Sequence, residues 1–226
     1  MTKDSLIVCS ELVKIYETAD VETVALRGLD LAVAPGELVA ILGPGGSGKT
    51  TLVNILGGLD RPSAGQVWVD GHNLPKLTDA DLGRYRRSTV GFIRQDGGRN
   101  LIPYLTALEN VELPMALAGR GPDRRERAEE LLARMGLIGE RHSHLYRLST
   151  VQMQLLSIAA AVANAPKLLL ADEPTGGLDS GGAREILHVL RHLVEQEAST
   201  TILATHDVSV VEDADIVLEL RDGQIV

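Results

Sequence analysis

The chain of 226 residues has a single cysteine, Cys9, and therefore no internal disulfide. Basic side chains are outnumbered by acidic ones, 22 against 31, giving a net charge of −9. A protein that grips nucleic acid by its phosphates needs a basic face, so nucleic acid is excluded from the expected partners. Two local basic clusters, GRYRR (83–87) and GRGPDRRERAEE (119–130), read as solvated helix faces. No run reaches the roughly 18 apolar residues of a membrane span. The most apolar stretch, LLSIAAAVANA (155–165), stops at Pro166. The opening MTKDSLIV lacks the apolar run of a secretory leader, so a cytosolic chain is expected. Repeats and low-complexity linkers are also missing. What remains is ordinary for a globular protein: 44% hydrophobic and 23% charged residues, enough for one domain, or one domain with an inserted subdomain.

Apolar runs and their breakers predict strands over 6–16 and 22–34, a turn at Pro35-Gly36, and a short buried strand at ELVAILG (37–43). Cys9 is expected to be a buried or half-buried strand residue. A glycine-rich loop and a helix from Lys49 to about Leu56 follow, then a strand at 65–71. The middle is more helical. Thr78 is a candidate N-cap for 77–87. In 124–136, Ala128, Leu131, Leu132 and Met135 share one face and Gly136 closes the helix. Strands at 167–172 and 200–207 flank an amphipathic helix at 182–197, and 214–226 reads as a hairpin. This alternation predicts a parallel sheet wrapped by helices and interrupted by a helical insert.

GPGGSGKT (43–50) fits the phosphate-loop pattern G-x-x-x-x-G-K-[ST], and it lies between a buried strand and a helix, as that pattern requires. By chance it would occur in roughly one chain in a hundred of this length. The glycines let backbone N–H groups converge on phosphates, and the helix N-terminus adds positive partial charge. Lys49 is placed to reach the β- and γ-phosphates, and the Thr50 hydroxyl to ligate Mg²⁺. LLLADE (168–173) supplies the second half. Asp172 ends a buried strand, where it can hold Mg²⁺ through water, and Glu173 follows as a candidate general base.

With these motifs in order, the chain resembles the ATP-hydrolysing subunits of ABC transporters over nearly its whole length. The family order of aromatic, phosphate loop, glutamine, signature, Asp-Glu strand, D-loop and histidine reads here as Tyr16, GPGGSGKT, Gln95, LSTVQ, LLLADE, GGLD and His206. The resemblance implies an α/β fold: a RecA-like P-loop NTPase core with an N-terminal antiparallel β part and an inserted helical subdomain. The expected core is about 1–92 and 164–226, and the helical part about 93–163. Tyr16 would stack on adenine. Gly43, Pro44, Gly45, Gly46, Ser47, Gly48, Lys49, Thr50 and Thr51 would hold ATP. Thr50, Gln95 and Asp172 would hold Mg²⁺. Glu173, His206 and Gln95 would serve catalysis, and Asp179 would sit at a dimer interface. LTALENVELPMALAG (105–119), LLLADEPTGGLDS and RDGQIV resemble the branch of lipoprotein-releasing, macrolide-exporting and peptide-antibiotic-resistance ATPases. That implies membrane-spanning permease partners and a place on the cytoplasmic face of the membrane.

The pattern breaks at the signature. The family has LSGGQ where this chain has Leu148-Ser149-Thr150-Val151-Gln152. In the family this segment closes on the ATP held by the other subunit, and bare glycine N–H groups approach its γ-phosphate. The branched side chain of Val151 is expected to obstruct that approach, and losing one such donor costs about 10²–10³ in rate. Ser149 is still expected to cap the helix and offer its hydroxyl. Leu155 and Ala160 stand where arginines are common, and QDGGRN (95–100) is two residues longer than usual. Elements serving this chain's own ATP are intact, while the segment serving its partner's ATP is altered. An asymmetric heterodimer is therefore favoured, with a slow homodimer as the alternative. A low-turnover regulatory subunit and a soluble ABC protein of translation or DNA repair are the competing functions. His142 and His144 form a pair without further ligand-type neighbours in sequence, which is weak ground for a metal site.

Overall fold

The computed structural model describes residues 5–18, 21–197 and 199–226. The N-terminal residues 1–4, covered by the leader argument above, lie outside them. Among the described residues there are ten strands: β1 Ile7–Thr18, β2 Val21–Val33, β3 Leu38–Leu42, β4 Ala64–Val69, β5 His72–Asn73, β6 Val90–Arg94, β7 Leu168–Asp172, β8 Thr200–Thr205, β9 Ile216–Arg221 and β10 Gln224–Ile225. Six α-helices join them: α1 Lys49–Leu56, α2 Asp79–Ser88, α3 Ala107–Leu117, α4 Arg124–Arg134, α5 Thr150–Val162 and α6 Ser180–Glu197.

The strands form two sheets. One is antiparallel, in the order β2-β1-β4-β5, and the other runs β10-β9-β3-β8-β7-β6. In the second, β9, β3, β8, β7 and β6 are parallel, and β10 closes the expected terminal hairpin. The central strands are buried on both faces, which is why they read as unbroken apolar runs. In β3, Leu38 and Ala40 face the cluster that holds α3 to α6, while Val39 and Ile41 face the cluster between the two sheets and α1. β7 divides in the same way, Leu169 and Ala171 to one side, Leu168 and Leu170 to the other.

The helix boundaries follow local chemistry. Thr78 caps α2 by accepting from Asp81 N at 3.2 Å. Ala128, Leu131 and Leu132 of α4 are fully buried, Met135 nearly so, and Gly136 leaves the helix with φ +69°. α1 ends where Gly57 faces the tip of the Phe92 ring, with no room for a Cβ. Strand β6 runs to Arg94, where its pairing with β7 ends at Arg94↔Asp172. Cys9 is buried, and burial pushes its thiol up to about 12, out of reactive range.

Candidate functional site

The parallel strands deliver their C-terminal ends to one edge of the sheet, where doubly wound folds bind ligands. β3 leads into the loop 43–48 and α1. Two of its glycines are dictated by close approach. A Cβ on Gly43 would stand 2.3 Å from Leu220 O, and one on Gly48 would stand 2.5 Å from Ala25 O. Gly48 is also left-handed, with φ +107°, and forms the N-cap of α1 without a side-chain cap. The first N–H groups of this helix are therefore left for an anion.

Lys49 curls back over the loop. Its Nζ donates to Gly43 O at 2.7 Å and Pro44 O at 3.1 Å, and lies 3.7 Å from Glu173 Oε1. β7 ends at Asp172, and the next residue turns sharply, with Glu173 at φ +50°. A left-handed non-glycine residue costs about 1–2 kcal/mol. Here it accompanies a carboxylate turned onto the end of β8. Glu173 Oε2 accepts from Thr205 Oγ1 at 2.9 Å and from His206 N at 3.3 Å. His206 Nδ1 lies 3.0 Å from the same oxygen and donates to it in the Nδ1-protonated tautomer. Burial raises the Glu173 carboxyl, but the bonds from His206 and Thr205 outweigh it and hold it below the usual range. It is thus an ionised acceptor, the state a general base needs.

Asp172 behaves oppositely. Burial pushes its carboxyl up, against the pull of the Thr50 hydroxyl, and the Glu173 charge adds to the rise. Its Oδ1 and the Ser47 Oγ are buried without a hydrogen-bond partner. Orphaned oxygens of this kind are costly unless a ligand completes them. A carboxylate and hydroxyl oxygens are the hard donors that Mg²⁺ takes, and a hydroxyl beside N–H groups suits a phosphate oxygen. The residues present therefore fit Mg²⁺ with a nucleotide.

Gln95 follows β6, and its Nε2 lies where a Cβ on Gly176 would be 2.6 Å away. A cavity of about 570 Å³ joins Gln95 to Thr50, Asp172, Glu173 and Thr150. The structure thus brings the phosphate loop, Asp172, Glu173, Gln95 and His206 together at one edge. Tyr16 lies on β1 of the antiparallel sheet, with its hydroxyl donating to Asp60 Oδ2 at 2.7 Å and Thr51 of α1 beside it. Asp179 caps α6, its Oδ1 accepting from Gly182 N at 2.8 Å.

The altered signature is ordered. Ser149 Oγ accepts from Gln152 N at 3.2 Å, and Gln152 Oε1 accepts from Ser149 N at 2.9 Å, a complete capping box. Thr150 is exposed and lines the cavity. Val151 is half-buried, its side chain packed against the core and lying against Gly182. The longer loop at 95–100 folds as a short 3-10 turn over Gly97–Asn100. Gly97 presses on α5 so closely that a Cβ would stand 2.9 Å from Met153 O.

Two residues escaped the sequence reading. Thr205 is fully buried and bridges Glu173 to the backbone, since its Oγ1 also accepts from Asp207 N at 3.1 Å. Arg94 lines the 570 Å³ cavity and pairs across the strands with Asp172. Thr205 could have been found as the polar residue ending a buried strand before the histidine. Arg94 could not, because its neighbour is set by strand order. Among the described residues, no group of three His, Cys, Asp or Glu side chains is arranged to hold a metal on its own. His144 stacks on Tyr146, with ring centroids 5.9 Å apart.

Comparison with known proteins agrees with this geometry. Residues 26–176 match the sequence profile of the ABC transporter family. The chain is 45% identical over 213 residues to an uncharacterized ABC transporter ATP-binding protein of Thermotoga maritima, covering 94% of this chain and 90% of that one. It is 44% identical over 223 residues to the macrolide export ATP-binding/permease protein of Syntrophobacter fumaroxidans, covering 97% of this chain but 31% of that one. The chain thus spans about a third of the macrolide export proteins it matches. A dimeric bacterial ABC transporter cassette superposes with a TM-score of 0.89 at 39% identity, covering 97% of this chain and 96% of that one. A dimeric cassette in a post-hydrolysis state with ADP and phosphate superposes at 0.88 and 38% identity, with the same coverage. Among the described residues no helix is long and apolar enough to cross a membrane. The chain belongs to the ABC transporter family, as an ATP-binding cassette that hydrolyses ATP.

Proposed function

We propose that this cassette powers membrane-spanning permease subunits from the cytoplasmic face of the membrane, as one half of a head-to-tail pair of cassettes. One observation carries the reading of the site. Glu173 gathers Lys49, Thr205 and His206 around its carboxylate while an unpartnered, buried oxygen of Asp172 lies beside it. In this reading the loop 43–48, Lys49 and Thr51 hold the phosphates, and Tyr16 supports the base. Thr50, Asp172 and Gln95 hold Mg²⁺, which supplies charge neutralisation on the phosphates. Glu173 draws a proton from the attacking water, and His206 steadies the γ-phosphate. The helical part, about 93–163, carries the signature, with Ser149, Thr150, Val151 and Gln152 serving the partner's nucleotide and Asp179 lying at the pair's interface.

A different cassette is the favoured partner. The groups serving this chain's own ATP converge, whereas Thr150 and Val151 replace the glycines that would serve the partner's. A slow homodimer is the second reading, favoured by the intact capping box and the inward Val151. The test of the site is Glu173→Gln, which keeps the shape and removes the basicity. ATP should still bind while hydrolysis falls by about 10² or more, the usual worth of general-base catalysis. Hydrolysis at the wild-type rate would remove Glu173 from this role.

A further inference from the structure

Lys14 and Asp60 belong to none of the phosphate-binding elements, yet both converge on Tyr16. Lys14 and Tyr16 are two residues apart on β1 and so share a face of the strand. Asp60 lies just beyond α1, its N–H donating to Asn54 O at 3.2 Å. Its two carboxylate oxygens are divided between the two side chains. Oδ2 accepts from the Tyr16 hydroxyl at 2.7 Å, and Oδ1 accepts from Lys14 Nζ at 2.6 Å. Lys14 Nζ donates also to Arg61 O at 2.8 Å and stands 4.7 Å from the centroid of the Tyr16 ring. That is within range of a cation–π contact. Burial and the bond to Asp60 both raise the Tyr16 hydroxyl, so it stays a protonated donor, with Thr51 of α1 acting in the opposite sense.

The ring is therefore fixed at three points: its backbone on β1, its hydroxyl on Asp60, and one face under the ammonium of Lys14. Tyr16 as a residue is 38% exposed, so part of it is open to a ligand. Lys14 and Asp60 neutralise each other, so the clamp presents no net charge to a triphosphate. A side chain immobilised before binding spares the ordering cost, which corresponds to roughly two- to tenfold in affinity. Tyr16 has Thr51 beside it, next to the phosphate-loop residue Thr50. A base on the tyrosine is thus compatible with phosphates on the loop.

We propose that Lys14 and Asp60 are positioning residues that set the Tyr16 ring for a nucleotide base, the ammonium on one face of the ring and the base on the other. The proposal rests on the reading of Tyr16 as the base platform. It assigns no role in phosphate binding to the clamp, and this separates it from a general structural role.

The experiment is a titration of the full chain with Mg-ATP and, separately, with Mg-tripolyphosphate, which carries the phosphates without a base. Asp60→Ala should weaken ATP by roughly two- to tenfold and leave tripolyphosphate within about twofold. The KM for ATP should rise while kcat at saturation stays put. Asp60→Asn keeps one acceptor oxygen, for either the Tyr16 hydroxyl or Lys14 Nζ, and its loss of affinity should fall between wild type and Asp60→Ala. Tyr16→Phe, which keeps the ring and removes the hydroxyl anchor, should lose affinity as Asp60→Ala does. Tyr16→Ala measures the whole base contribution. If Tyr16→Ala weakens ATP but Asp60→Ala and Tyr16→Phe do not, the clamp is overturned and the base platform stands. If Tyr16→Ala leaves the ratio of the two affinities unchanged, both are overturned. An equal loss of both ligands in Asp60→Ala would mean damage to the phosphate loop and would also overturn the clamp.

Discussion

A Cβ added to Gly182 would stand 2.6 Å from Val151 Cγ2, so the signature valine occupies the space that a side chain at the start of α6 would fill. The two residues are complementary in size. The substitution in the signature is accommodated within its own chain, by a missing side chain 31 positions further on.

This pair makes the first prediction. Glycine to alanine within a helix normally stabilises, by about 1 kcal/mol. At Gly182 the new methyl group would meet Val151 Cγ2 and also Asp179 Oδ1, at 3.2 Å. Gly182→Ala should therefore destabilise the chain by about 1–3 kcal/mol, the cost of overpacking. In a Val151→Ala background the same change should be near neutral. Denaturant melts of the two single variants and the double variant measure the interaction, and additive effects would show that the residues do not share the space.

Lys49 supplies a second prediction. Its ammonium is held by Gly43 O, Pro44 O and the Glu173 carboxylate, poised over the loop that receives phosphate. Lys49→Ala removes a charge-assisted contact of about 1.5–3 kcal/mol. Affinity for Mg-ATP should fall by roughly ten- to a hundredfold. Titration with a fluorescent ATP analogue reads this directly, and unchanged binding would refute the assignment.

The signature gives a third. In a forced homodimer, Thr150→Gly with Val151→Gly should raise turnover by returning bare N–H groups to both sites. Because Thr150 lines the cavity and Val151 is packed inward, most of the gain should come from Thr150→Gly alone. Val151→Gly should mainly lower stability, by about 1–2 kcal/mol for a half-buried valine in a helix. Phosphate release and melting separate the two effects. In a complex with a different cassette, Glu173→Gln in this chain should nearly abolish turnover, while changes at 150 and 151 matter less. Purification from native membranes as a homodimer with brisk hydrolysis at both sites would remove the asymmetric reading.

Asp215 ties the sheet to α6. Its Oδ2 accepts from Leu38 N at 2.8 Å, and Oδ1 accepts from Arg191 Nη1 at 2.8 Å. Burial acts to raise its carboxyl, but these two bonds prevail and hold it below its ordinary value. A carboxyl depressed in the folded state lends stability above its unfolded value, about 3.9, and loses it as the pH falls through the lower folded value. Asp215→Asn should accordingly lower the melting temperature at pH 7. The gap to wild type should stay constant down to about pH 5 and close below about pH 4. A gap that persists unchanged at pH 3 would show that the carboxylate charge is not its source.

The elements that were legible in the sequence are those whose signal is local. Lys49–Leu56 came out at its observed limits because a glycine loop, a helix start and a breaker at Gly57 are adjacent in the chain. The central strands were legible because burial on both faces makes them uniformly apolar. α6 begins at Ser180, two residues before the expected 182, because Asp179 caps the helix, a contact that apolar periodicity does not carry.

By itself the sequence determined the P-loop core, the phosphate loop and the carboxylates of β7, because loop geometry and strand burial are written in neighbouring residues. Strand order decided the rest. β8 lies beside β7, and only that adjacency sets Thr205 and His206 against Glu173, 32 and 33 residues away. The direction of Val151 likewise depended on the empty Cβ position of Gly182, and the hydroxyl of Tyr16 on Asp60, 44 residues distant. Such contacts are fixed when separate elements pack, since a side chain turns toward whatever volume and partner the folded neighbours leave for it.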